Sequence, residues 1–169
     1  MTFQVGEKVV YPNHGVGTIE NISSRAFGAQ SERFYLLRLS PSRMTVMVPF
    51  SHVGDVGLRK VTKVSEINRV LSYLSAGQPC CAHDWKDRFK ENSDRMKGGS
   101  LLEVAEVFKA LLIIQMSKPL SFREKKMLER ARSMLILETS VARGVSEQEA
   151  ISLIEKALLK CGLPMPAAL

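Results

Sequence analysis

Cysteine is scarce in this chain, and the little there is does not form a framework. Cys80 and Cys81 are neighbours and Cys161 is far away, so the count of 3 is odd and contains no C-x-x-C unit. That excludes a disulfide scaffold. A zinc centre needs about four ligands; Cys80, Cys81, His83 and Cys161 would supply them only at unusual spacing, and reduced thiols are the better reading. Long apolar runs are missing too. The greasiest stretch, "VAEVFKALLIIQM", carries Glu106 and Lys109 and falls short of a membrane span. "MTFQVGEK" lacks the basic-then-apolar layout of an export signal, which points to a cytosolic protein. Catalytic motifs are also lacking. The chain has no phosphate loop, no H-E-x-x-H and no nucleophile elbow, and His14, His52 and His83 have no evident nucleophile or carboxylate partner in sequence. An enzyme is the least expected class, and no cofactor is implied.

What is present is an ordinary globular composition, 45% hydrophobic and 24% charged over 169 residues, with a net charge of +7. The excess is a modest bias towards polyanions and bears on partners, not on fold. The hydrophobic period splits the chain in two. Up to about residue 60 it is that of short strands: "EKVVYP", "NHGVGTIENI", "RFYLLRLS" and "MTVMVP", with "RAFGAQSE" as a hairpin loop around Gly28. "RFYLLRLS" is apolar on both faces, as a central strand would be. Four or five such strands predict a small Tudor- or SH3-like β-barrel.

From about residue 64 the period becomes helical. "SEINRVLSYLS" is stopped by Gly77 and Pro79, and "DWKDRFKENSDRMK" runs from Asp84 as N-cap to Gly98-Gly99. Three capping-box patterns follow, Ser100-x-x-Glu103, Ser121-x-x-Glu124 and Ser146-x-x-Glu149, each in step with an apolar run. The helix after Ser100 is apolar nearly all round and belongs at the centre of a bundle. The expected architecture is therefore α+β in two domains: residues 1–62 as the β domain, 63–162 as a bundle of about five helices, and 163–169 as a frayed tail.

The charge is unevenly placed. Residues 1–59 hold six basic and four acidic residues; residues 60–169 hold 18 and 13. "KPLSFREKKMLERAR" alone has six basic and two acidic groups. Arg123, Lys126 and Arg130 fall on one helical stripe, and Lys86, Lys90 and Lys97 on another. A single stripe of this kind is an ordinary solvated face. Two of them flanking Trp85, the one tryptophan, suggest a nucleic-acid surface. Trp85 has two readings. As a staple it folds back over the bundle beside Phe89 and Met96. As an exposed wedge at a helix start it inserts between bases, with Lys86, Arg88 and Lys90 on phosphates.

Together, "VGEKVVYPNHGVGTIE", "FYLLRL", "VMVP", "VGLR", "DWKDRFKEN", "EVAEVFKALL" and "LSFREKKMLERARSMLILE" resemble, in order and spacing, the CarD/CdnL family of bacterial transcription regulators. The resemblance implies a Tudor-like domain, shared with the transcription-repair coupling factor, that docks on the RNA polymerase β subunit. It implies a helical domain that contacts promoter DNA at the upstream edge of the melted bubble. By resemblance Trp85 enters the minor groove and stabilises the open complex. Lys90 and Lys125 match positions that hold DNA phosphates, with Arg88 assisting; Lys86, Lys126 and Arg130 complete the expected DNA-binding set. Arg25 matches a polymerase-contacting residue. Some members carry an arginine where this chain has Met47, so that contact here is apolar or weaker. Two rivals stand beside this reading. One is an RNA-binding module, since small barrels of this kind also occur in ribosome-associated proteins. The other is a protein adaptor with solvated basic stripes, its Tyr11, Phe34, Tyr35 and Phe50 either a methyl-lysine cage or, more simply, core.

Overall fold

The computed structural model describes residues 2–12, 14–40, 42–77, 85–98 and 100–166, apart from the side chains of Phe27 and Trp85. Candidate zinc ligands Cys80, Cys81 and His83, and the candidate N-cap Asp84, lie outside the described residues. Two units emerge, Met1–Val61 and Thr62–Leu169.

The described residues of the first unit form five strands: β1 Lys8–Tyr11, β2 Gly15–Phe27, β3 Gln30–Leu39, β4 Thr45–Pro49 and β5 Arg59–Lys60. They form one antiparallel sheet in the order β4-β3-β2-β1-β5. β3 lies between β2 and β4, in keeping with its apolar character on both faces; Phe34, Tyr35, Leu37 and Leu39 are all buried. Gly28 turns the β2–β3 hairpin with φ +61, a left-handed angle that other residues reach only with strain. The pairing slips by one residue at Glu20: Ile19 faces Leu37, but Asn21 faces Leu36. The extra residue inverts the pleat, so that Ile19 and then Ile22 both meet the core. That core is Phe3, Val9, Ile19, Tyr35, Leu37, Leu39, Val48, Val53 and Leu58.

Of the aromatics weighed as a ligand cage, Tyr35 belongs to this core and Tyr11 and Phe50 pack against it. Phe34 and Tyr35 are buried, Phe50 stacks on Tyr35 at 4.2 Å, and the Phe3 amide donates to the Tyr35 hydroxyl at 3.0 Å. Tyr11 meets His14 edge-on at 4.8 Å. A short helix, α1 Val53–Val56, follows one turn of 3₁₀-helix and stops at Gly57. The sequence gives no period for it because four residues are too few to show one.

The second unit is helical: α2 Val64–Ala76, α3 Trp85–Gly98, α4 Leu101–Ser117, α5 Phe122–Arg143 and α6 Glu147–Leu159. Five helices among the described residues agree with the expected bundle. In α4, Leu101, Val104, Ala105, Val107, Phe108, Ala110, Leu111 and Leu112 are all buried, so this helix runs through the core. Val70 and Leu74 of α2, Leu128 and Leu135 of α5, and Ile154 and Leu158 of α6 pack into the same core. Past α6, Leu163 is buried and Arg132 Nε donates to the Pro166 carbonyl at 3.0 Å. The segment expected to fray is thus docked as far as Pro166. Leu163 belongs to the helical core, and Met165, partly buried, packs against that core.

Candidate nucleic-acid interface

Helix α3 is mostly charged, and few of its side chains hold it to the bundle. Asn92 and Met96 are buried and Phe89 is half-buried, while Lys86, Lys90 and Lys97 are exposed. Helix α5 is amphipathic in the same sense. Glu124, Met127, Leu128 and Ala131 face inward; Phe122, Arg123, Lys125, Lys126 and Arg130 face solvent. The first turns of these two helices meet. Arg88 Nε donates to Glu124 Oε2 at 3.0 Å and Arg88 Nη2 to Glu124 Oε1 at 3.1 Å, with the side chains only 12% and 4% exposed. Beside this pair, the Arg123 guanidinium lies 4.7 Å from the centre of the Phe89 ring.

Around this seam stand exposed cations. Among the described residues Lys90, Lys125 and Arg130 make no ion pair. Lys86 is exposed and already has a partner. Lys126 lies 4.0 Å from Glu129, a loose, solvent-exposed pair, and 5.6 Å from the centre of the Phe122 ring. The sequence places Arg88 on phosphates; here its guanidinium is occupied by Glu124. Sequence periodicity could not show this, because the partner is 36 residues away.

Phe122 was not singled out from the sequence. It is 74% exposed, the most exposed of the large apolar side chains described. Its signal lies in its position: it is the first residue of α5 and sits off the stripe that buries Met127, Leu128, Ala131 and Leu135. Trp85 opens α3; its side chain, the subject of the staple and wedge readings, lies outside the described residues.

Comparison with known proteins matches both units. Residues 3–62 match the family described as CarD-like/TRCF RID domain, and residues 69–155 match CarD, C-terminal domain. This chain belongs to the CarD/CdnL family. A Bacillus subtilis relative named "Putative transcription factor YdeB" is 37% identical over 147 residues, which is 87% of this chain and 96% of the relative. A solved structure titled "CdnLNt from Myxoccoccus xanthus" is 39% identical, covers 36% of this chain and 86% of its own, and has a TM-score of 0.31.

In this CarD-family chain the expected polymerase-contacting residues fall on the sheet. Arg25 is exposed near the far end of β2, opposite Glu32 of β3. Met47 is half-buried on β4, opposite Leu36. The sequence did not tell which strands are edges; the sheet order makes them β4 and the two-residue β5. Among the described residues, no helix of this CarD-family chain is long and apolar enough to cross a membrane.

Proposed function

We propose that this CarD-family regulator acts without catalysis, docking on the RNA polymerase β subunit through its sheet and touching promoter DNA through α3 and α5. The observation that carries the reading is the α3–α5 seam. Exposed Lys90, Lys125 and Arg130 stand there without carboxylate partners among the described residues, beside an exposed aromatic, Phe122. Such cations bind phosphates without regard to sequence, and aromatic faces stack on unpaired bases for about 1–3 kcal/mol each. Trp85, at the start of α3, is the proposed wedge in the minor groove at the upstream edge of the bubble. Lys86 and Lys126 add charge to the surface.

β4 supports docking: as an edge strand of five residues it can pair with a strand of a partner; Met47 lies on this strand, and Arg25 on β2, across β3 from it. Docking raises the local concentration of the helical unit beside the promoter, so modest DNA affinity suffices. A preference for open over closed DNA of about 1.4 kcal/mol shifts the equilibrium tenfold.

Two measurements test this reading. In a pull-down, Arg25→Glu loses polymerase while Trp85→Ala retains it. In promoter footprinting with lifetime measurement, Trp85→Ala shortens the open complex. An unchanged lifetime refutes the wedge, and a Trp85→Ala chain that unfolds assigns the indole to the core.

A further inference from the structure

We propose that Arg88 and Glu124 form a positioning pair that sets α3 against α5, rather than a part of the surface that grips DNA. The proposal rests on the interface reading above and deepens it, because α3 carries both Lys90 and Trp85.

The apolar grip on α3 is slight. Of its described side chains only Met96 and Asn92 are buried, and Asn92 Nδ2 has no hydrogen-bond acceptor among the described residues. The Arg95–Glu106 pair, at 3.9 Å and partly exposed, is loose. Arg88 and Glu124 differ on every count. Their contact is a two-pronged fork with both carboxylate oxygens engaged, and it is shielded from water. A planar guanidinium on a planar carboxylate resists rotation in a way that a lysine contact does not.

The carboxylate is itself held from below. Glu124 is the third residue of α5; its amide donates to Ser121 Oγ at 3.2 Å, and the Ser121 hydroxyl donates to Glu124 Oε1 at 3.3 Å. The start of α5 therefore dictates the angle of the start of α3. An Arg88 that swung out to a phosphate would leave a buried carboxylate without a counter-charge, beside a polyanion.

This arrangement separates geometry from charge, and the separation is testable in the full chain. Arg88→Met and Glu124→Gln each break the fork; Arg88→Met together with Glu124→Leu replaces it with an apolar contact of similar bulk. The readouts are amide exchange in α3, open-complex lifetime with RNA polymerase, and the salt dependence of DNA binding, with urea unfolding to establish the folded fraction.

Each single variant speeds exchange in α3 and shortens the lifetime about tenfold. The double variant slows exchange again and recovers the lifetime to within about twofold, with the slope of log K against log salt unchanged. Unchanged α3 exchange in Arg88→Met overturns the proposal. So does a folded double variant no better than Arg88→Met whose slope has fallen by about 0.9, the signature of one lost phosphate contact. Lys90→Ala and Trp85→Ala serve as controls: if neither alters the lifetime, the interface reading fails, while exchange in α3 still decides the role of the pair.

Discussion

Lys109 is a cation with 3% exposure in the most apolar helix of the protein. Its ammonium donates to the carbonyls of Tyr73 at 3.0 Å and Gly77 at 2.6 Å, the last turn and cap of α2. The charge thus lies against the negative end of a helix dipole, which offsets part of its burial. Lys109→Met leaves both carbonyls without that donor and lowers stability by about 1–3 kcal/mol, read by urea unfolding. Gly77 is constrained from the other side. A Cβ there would lie 2.2 Å from Tyr73 Cδ2 and 2.7 Å from the Tyr73 carbonyl, so Gly77→Ala costs about 1–3 kcal/mol by the same measurement. Neither role was legible in the sequence. Lys109 interrupts an apolar run there and looks like a solvent-facing position; only the distant end of α2 explains it. The partner of Arg88, Glu124, was hidden for the same reason, since a sequence displays a charge but not its long-range partner.

Helix boundaries were far more legible, because caps are local. Ser100, Ser121 and Ser146 all accept the amide three residues on, as their spacing requires. Only Ser146–Glu149 closes the reciprocal box, with the Ser146 amide donating to Glu149 Oε2 at 3.2 Å. Glu124 reaches back only to the Ser121 hydroxyl and not to its amide, while Arg88 engages both of its carboxylate oxygens. Ser146→Ala should therefore cost about 1 kcal/mol and fray the first turn of α6, seen as faster amide exchange there. The central place of α4 was equally plain from its nearly uninterrupted apolar surface. Phe108→Ala, at a fully buried site, should destabilise the bundle by about 3–5 kcal/mol in denaturant titration. The strands too followed from alternation, whereas the slip at Glu20 and the brief α1 did not, since each is a departure from a period.

For the whole chain, charge sets the behaviour that is easiest to measure. With a formal net charge of +7, binding to DNA should weaken linearly on a log–log salt plot. Lys90→Ala and Lys125→Ala should each flatten the slope by about 0.9 without sequence preference, measured by anisotropy on unrelated duplexes. The two cores share no residue, so proteolysis that nicks near Val61 should leave two fragments that still unfold cooperatively. Thr62, the first residue of the helical unit, is fastened rather than trailing. Its amide donates to Glu138 Oε1 at 2.9 Å and its hydroxyl to the same oxygen at 2.5 Å. Glu138 lies on α5, as does Glu124 fourteen residues earlier, a distance of roughly 21 Å along the axis. Tension arriving through the chain before Thr62 therefore reaches α5 directly, as well as α2. Pulled with optical tweezers from its amino end, the helical unit should hold until those two bonds shear together, and α5 should pass the strain lengthwise towards the root of α3.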